Sequence, residues 1–428
     1  MSNWQTESLN ECLDALLDYR GKSPKRSTRG IPVLSAKVVK TTGLLRPIEQ
    51  RISNDYYPTW MTRGLPRPGD VVMTTEAPMG EVIQLDEETA TYALGQRIVC
   101  MRGKAKKLDN TFLRYLLTSP AQQAILESYA TGTTVLGISQ KALRSVPITF
   151  PDIREQQRIG NLLAALDDKI ELNRRMNETL EAMARAIFKD WFVDFGPTRA
   201  KMEGRAPYLA PDIWSLFPNR LDDAGKPQGW SLGKLSDIAS LNPENWSRAS
   251  YPNTVAYVDL SNTKWGTIDA VTPFTRTAAP SRAQRVLRAG DTIIGTVRPG
   301  NGSYAFVSVN GLTGSTGFAA LRPNLSIFRE AVYLSATSKA NIDRLSHLAD
   351  GGAYPAVRPE LVAATELVVA PKSVFSAFSA IATGLIDRAE ANKSESHSLA
   401  ATLDLLLPKL MSGELRIKDA EKLVAEAS

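Results

Sequence analysis

The sequence has very little to offer a metal ion or a redox couple: Cys12, Cys100, His347 and His397 are its only cysteines and histidines in 428 residues. Residues so few and so far apart exclude a structural zinc cluster, so no metal is expected, and reduced thiols are. No run of about 18 apolar residues occurs, which excludes a membrane-spanning helix. The opening MSNWQTESLNE carries neither a basic flank nor an apolar stretch. It predicts no secretory signal and a cytoplasmic setting. A Walker A phosphate loop is missing, so no ATP motor is expected. No glycine-rich loop opens a helix after a strand, which argues against a nucleotide-fold methyltransferase. Asn242-Pro-Glu-Asn-Trp246 only faintly resembles the catalytic loop of adenine methyltransferases and reads as a turn. Pro151-Asp152 with Glu155 lacks the rest of a nuclease motif and reads as a helix start, Asp152 as its cap. No catalytic residue is therefore expected.

What is present is a mild basic excess and a long internal repeat. The net charge of +6 permits nucleic-acid binding without requiring it. The repeat pairs Trp4 with Trp230, Ile31-Pro-Val-Leu34 with Val255-Ala-Tyr-Val258, and Arg67-Pro-Gly-Asp70 with Arg288-Ala-Gly-Asp291. Further on it pairs Cys100-Met-Arg102 with Ala320-Leu-Arg322, Pro151 with Pro371, and Asn173 with Asn392. The offset drifts only from 226 to 219 and the order is kept. One such pair could arise by chance, but an ordered series points to duplication.

Each copy opens β-rich. Asp70–Thr75 and Asp291–Thr296 follow glycine turns and predict strands, as do 97–101 and 318–321. A helix is expected near 110–126 and 330–345, then a glycine loop at 130–134 and 349–354, then a strand running into proline. Each copy closes on a long helix. Ile159, Leu166, Asn173, Leu180 and Ile187 recur every seven residues, as do Phe378, Leu385, Asn392, Leu399 and Leu406. That is a coiled-coil seam. A single core-packing helix would show a similar stripe, but two matched copies suggest partners for each other. Asn173 and Asn392 are each the third of five seam positions and are expected to meet in an antiparallel pair. Residues 196–229, rich in proline and glycine, read as a connector with little structure of its own.

The expected fold is α+β: two β-rich domains separated by a long antiparallel two-helix coiled coil, in a tandem pseudo-twofold repeat. The boundaries are 1–151 and 230–371 for the β-rich domains, 152–195 and 372–412 for the helices, 196–229 for the linker and 413–428 for a tail.

The segment Phe150-Pro-Asp-Ile-Arg-Glu-Gln-Gln-Arg-Ile159, with Leu166-Asp-Asp-Lys-Ile-Glu-Leu-Asn173 after it, resembles the central region of Type I restriction–modification specificity (S) subunits. So do Ala186-Ile-Phe-Lys-Asp-Trp-Phe-Val-Asp-Phe195, Leu405-Leu-Leu-Pro-Lys-Leu-Met-Ser-Gly-Glu-Leu415 and Asp18-Tyr-Arg-Gly-Lys22. The resemblance covers nearly the whole chain and is specific in the centre. Copy two departs from it, having Pro371-Lys-Ser-Val-Phe-Ser376 where copy one has the Glu-Gln-Gln signature, which suggests a looser partner contact there.

The resemblance implies a non-catalytic reader of double-stranded DNA for a defence system of the prokaryotic cytoplasm, associated with the nucleoid. It would pair with two methyltransferase (M) subunits, which use S-adenosylmethionine, and two restriction (R) subunits, which use ATP and magnesium. Each β-rich domain would read half of a split, asymmetric target. The helix residues Glu155, Gln156, Arg158, Trp191 and Phe192 are then candidates for partner contact. A fused methyltransferase–specificity enzyme, the reading part of another methyltransferase-based system, and a coiled-coil adaptor without DNA binding are the rival readings.

Phosphate contacts supply affinity and base-edge contacts supply choice. In copy one the candidates are Lys22, Lys25, Arg26, Arg29, Lys37, Lys40, Arg46 and Thr133. In copy two they are Asn262, Lys264, Arg276, Arg282, Arg285, Arg298, Asn301, Tyr304 and Tyr354. Arginine can grip guanine, and asparagine adenine, with two hydrogen bonds. For any single one of these residues the alternative is a solvated surface side chain.

Overall fold

The computed structural model describes residues 4–19, 23–352 and 354–427. The chain divides into two compact units, residues 1–171 with 395–428, and residues 172–394. Each takes in one β-rich domain and parts of both long helices.

The Arg-x-Gly-Asp turns seed each sheet. Gly69 and Gly290 adopt φ of +87° and +93°, which an L side chain resists. The aspartate one residue on closes the turn: Asp70 accepts the Arg67 amide at 2.8 Å, and Asp291 accepts the Arg288 amide at 2.9 Å. The strands that follow, Val71–Thr75 and Thr292–Gly295, are buried on both faces. In the first unit the sheet order is Leu13–Asp18, Ile98–Gly103, Val71–Thr75, Met79–Gln84. In the second it is Ala239–Leu241, Phe318–Pro323, Thr292–Gly295, Tyr304–Phe306, element for element the same.

The repeat pairs read in the sequence become an ion pair in each sheet. Arg102 Nε and Nη2 reach the two Asp70 oxygens at 2.8 and 2.6 Å, and Arg322 grips Asp291 at 2.9 and 2.8 Å. Each β-rich domain is also tied shut. Gln5–Ser8 pairs with Pro147–Phe150, and Ser231–Lys234 with Glu366–Val369, so the first and last strands of each domain lie side by side.

The helices expected at 110–126 and 330–345 are each broken in two. Asn110–Thr118 gives way to Pro120–Ser128 at Ser119, whose hydroxyl caps the second piece through the Gln122 amide. Arg329–Ala336 gives way to Lys339–Leu348 at Ser338, which caps likewise. Periodicity carried across each break, while the serine cap, read as an interior residue, marked the stop.

The central helix, Ile153–Phe192, and the C-terminal helix, Lys372–Met411, are each 40 residues long. Asp152 caps the former, accepting the Glu155 amide at 3.0 Å. All expected seam positions are buried or half-buried. Within the first unit Ile159, Leu163 and Leu166 share a core with Leu399, Leu406 and Leu410. Within the second, Phe188 meets Phe378 at 5.8 Å between ring centres, and Phe192 stacks on Phe375 at 5.0 Å. The later part of one helix thus meets the earlier part of the other, which makes the pair antiparallel in each unit.

Asn173 and Asn392 do meet. Asn173 Nδ2 donates to the Asn392 backbone carbonyl at 3.4 Å, and Asn392 Nδ2 donates to Asn177 Oδ1 at 2.8 Å. Asn392→Ala is expected to cost about 1 kcal/mol through the lost bond to half-buried Asn177. Denaturation of Asn392→Ala, Asn177→Ala and the double variant measures the coupling. Strictly additive costs would show that this bond contributes nothing.

Residues 196–229 are not the unstructured connector expected. Helices Gly196–Met202 and Pro211–Ser215 form there, and Phe217 is buried edge-on against Trp191, 5.0 Å between ring centres. The proline and glycine content reads as loop, but scattered aromatics secure the stretch to the core of the second unit.

Candidate nucleic-acid interface

In the first unit the basic candidates gather around a short hairpin and the strand before it. Arg26, Lys37 and Arg46 line one concavity of about 260 Å³, with Glu49 among its walls. Lys25 joins Arg26 in an adjoining depression. Their charges are loosely tied: Lys37 lies 3.8 Å from Glu49, and Arg46 lies 3.5 Å from Glu88, all largely exposed. Such pairs hold little energy, so they can be exchanged for phosphate. Arg29 is exposed nearby. Lys40, half-buried, sits in the hairpin Val39–Lys40 with Gly43–Leu44 and lies 3.8 Å from Glu81. Thr133 is exposed in the loop that bridges Thr131 to Gly137. Lys22 lies outside the described residues.

In the second unit Lys264 occupies the corresponding hairpin, Thr263–Lys264 with Thr267–Ile268, and is exposed. Next to it the hairpin carries a residue that sequence reading missed, Trp265, 61 % exposed and at φ +49°. Its indole lies across Gly302, where a Cβ would come within 2.6 Å of the ring. Glycine is therefore required there. The available signal was Lys264-Trp-Gly266, an aromatic in a tight turn between strands. Lys393 of the C-terminal helix steadies the hairpin by donating to the Gly266 carbonyl at 2.7 Å.

The 3₁₀ turn Pro299–Asn301 adjoins this hairpin, with Asn301 exposed. Before it, Arg298 is exposed, its guanidinium 4.6 Å from the ring centre of Tyr354, itself 72 % exposed. The structure therefore brings Lys264, Arg298, Asn301 and Tyr354 into one neighbourhood. Tyr304 belongs instead to the interior: burial raises its phenol pKa, and its ring supports Trp265 edge-on at 6.0 Å. An aromatic among polar residues reads as a surface contact, but alternation along Tyr304–Phe306 turns it inward.

The remaining candidates are more engaged. Asn262 is half-buried at the end of a 3₁₀ turn, and its carbonyl accepts the Asp269 amide at 2.7 Å. Arg276 donates to the Arg248 carbonyl at 2.6 Å, and Arg282 is exposed. Arg285 donates to Asn245 Oδ1 at 2.7 Å, and burial pulls its guanidinium below its ordinary value.

The helix residues divide. Gln156 is fully buried: Nε2 donates to the carbonyls of Lys107 and Pro151, both at 2.9 Å, while Oε1 accepts the Asp109 amide at 2.9 Å. It is a joint between domain and helix, not a partner contact. Trp191 and Phe192 are likewise core residues of the second unit. Glu155 is half-buried, and exposed Arg158 pairs with Glu421 at 2.9 Å. Copy two lacks the glutamine because its joint is built from the other side. Buried Glu330 accepts Ser379 Oγ at 2.9 Å and Thr383 Oγ1 at 2.8 Å from the C-terminal helix. Its departure from the signature is thus a different fastening at that end.

Among the described residues, no group of three or more His, Cys, Asp or Glu is placed to hold a metal ion, and no helix is long and apolar enough to cross a membrane.

Residues 1–182 match the family model of the Type I restriction modification DNA specificity domain. The chain is 23 % identical over 404 residues to the Type I restriction enzyme HindI specificity subunit of Haemophilus influenzae, covering 82 % of this chain and 87 % of that one. It is 23 % identical over 365 residues to the MjaIX specificity subunit of Methanocaldococcus jannaschii, covering 82 % and 78 %. The crystal structure of a Type I restriction–modification S subunit from M. genitalium shares the fold, with a TM-score of 0.60 over 96 % of each chain at 17 % identity. A duplicated α+β scaffold closed by two long helices, with these relatives, defines a class of DNA-specificity proteins. Residues 1–182 thus carry a match to the Type I restriction modification DNA specificity domain, and along most of its length the chain is similar to Type I restriction enzyme specificity subunits.

Proposed function

We propose that this chain is the DNA-recognition subunit of a Type I restriction–modification complex. Each β-rich domain reads one half of a bipartite, asymmetric target, and the long helices carry the methyltransferase subunits. The observation that carries this reading is the duplication itself. Two domains share the same four-stranded sheet, strand for strand, while their second sheets differ, three strands against four, and they present different side chains from equivalent loops, as two readers of unlike half-sites must. The chain itself transforms no substrate. S-adenosylmethionine acts in the M subunits and ATP with magnesium in the R subunits, two of each per complex, in the cytoplasm at the nucleoid.

Purified with its M subunit, the chain is expected to direct adenine methylation to one split sequence, with an affinity that falls steeply as salt rises. The chain alone should transfer no methyl group. A complex that forms but does not bind DNA would support an adaptor instead. Methyl transfer by the highly purified chain alone would overturn the non-catalytic assignment.

A further inference from the structure

We infer that Trp265 is a thymine reader: the open face of its indole packs against the 5-methyl group of one thymine in the half-site bound by the second unit. The inference rests on the DNA-reading function proposed above and assigns one base pair of the target to one side chain.

The argument begins with the backbone. Lys264 pairs with Thr267, so Trp265 and Gly266 are the two central residues of a tight turn. Their φ angles are +49° and +89°, the sign pattern of a type I′ turn. Glycine, asparagine or aspartate serves the first of these positions at least cost, whereas a bulky side chain there is strained. The strain is held in place from three sides. The Trp265 amide donates to the Gly302 carbonyl at 2.7 Å, the Gly266 amide donates to the Tyr304 carbonyl at 2.9 Å, and Lys393 Nζ donates to the Gly266 carbonyl at 2.7 Å. Burial does not explain the choice of tryptophan, because the residue remains 61 % exposed.

The ring is seated flat. A Cβ at Gly302 would lie 2.6 to 2.7 Å from Cδ2, Cε2 and Cε3 alike. Cδ2 and Cε2 are ring-fusion carbons, so Gly302 approaches one face of the indole and not its rim. Tyr304 supports the ring edge-on, 6.0 Å between centres. The exposed surface is therefore the opposite face. Exposed Lys264 and Asn301 adjoin it, while Glu181 and Glu390 nearby are each paired, with Arg185 and Lys393 at 2.6 Å.

That geometry selects the ligand. A side chain that wedges between base pairs must project from its backbone, whereas this one lies against it. Base faces inside a duplex are stacked on one another and closed to the ring. The base edges in the major groove are polar except for the thymine methyl, the one apolar group a flat ring can cover there. Lys264 beside it is placed to meet phosphate.

The first unit supplies an internal comparison. Lys40 pairs with Gly43, so its hairpin is equally tight and turns on Thr41 and Thr42. Thr41 is turned down onto Glu81, to which its amide and hydroxyl donate at 2.6 and 2.8 Å. The hairpin is kept while the indole is absent. Equivalent backbone with unlike side chains is what distinct half-sites require.

The test uses the chain complexed with its M subunit and duplexes of the target at which that complex methylates adenine. Each thymine of the target is replaced in turn by deoxyuracil, which removes the 5-methyl group alone. Wild type should lose about 3- to 10-fold in affinity at one thymine of one half-site. Trp265→Asn removes the ring with a residue that suits the turn. It should bind the thymine and deoxyuracil duplexes equally at that position and keep every other sensitivity. Sensitivities that are all unchanged in Trp265→Asn would overturn the inference. So would a wild type indifferent to deoxyuracil throughout. In that case a uniform loss of affinity in Trp265→Asn makes the ring a sugar contact, and loss of the M subunit makes it a protein contact. A wild-type complex with no split target would overturn the underlying function instead.

Discussion

Arg322→Ala should destabilise the second unit by about 3–5 kcal/mol, enough to unfold it at moderate denaturant. Asp291 is only 1 % exposed, and its two oxygens take the Arg322 guanidinium and the Arg288 amide. Removing the arginine leaves a carboxylate in the sheet interior without its counter-charge. The same arginine also donates to Glu244 at 2.8 Å and to the Val286 carbonyl at 3.2 Å, so one truncation releases strand, turn and flank together. Arg102→Ala should do the equivalent to the first unit through Asp70. Arg288→Ala is the control. It removes an exposed pairing with the same Glu244 and should cost about 0–1 kcal/mol. Denaturant unfolding of the full chain reads these effects, the affected unit's transition moving to lower denaturant. If Arg322→Ala and Arg288→Ala melted together, the buried pair would not be what holds the sheet.

Replacing residues 230–371 with the matching stretch of a relative that reads another sequence should switch one half of the methylated target completely and leave the other unchanged. The expectation rests on strand closure. Ser231 pairs with Val369 and Lys234 with Glu366, so both ends of the transplanted piece leave from one place. The fastenings to the helices must be kept: Glu330 to Ser379 and Thr383, and the Thr337 hydroxyl to Arg185 at 3.1 Å. A donor that keeps an acid at the first position and a hydroxyl at the second should yield a stable hybrid. Sequencing of methylated adenines gives the answer directly. Simultaneous change in both halves would show that the domains do not read independently.

The duplication, the sheet strands and the seam were legible because they are periodic or repeated, and repetition survives without knowledge of packing. Asn173 and Asn392 could be paired from heptad counting alone, since antiparallel helices related by a twofold bring like positions together. Direction was harder. Gln156 sits in a polar motif on a helix and reads as a surface contact, yet the domain folds over it and takes up both its amide groups. Trp191 and Phe192, candidates for partner contact by resemblance, are instead packed with Phe217 of a stretch whose proline and glycine content reads as connector. Among the DNA candidates, residue type was readable and neighbourhood was not. Nothing local says that Arg298 lies on Tyr354, 56 positions away, because the contact depends on a loop stapled to a strand end.

The side-by-side first and last strands have a consequence for inheritance. Genetic exchange tends to damage proteins because a new piece must match its surroundings at two distant places. Here both cut points fall on neighbouring strands, so a replaced stretch faces a single seam. A lineage that shuffles such stretches at two positions acquires addresses in proportion to the product of its alternatives, and each new combination arrives already folded.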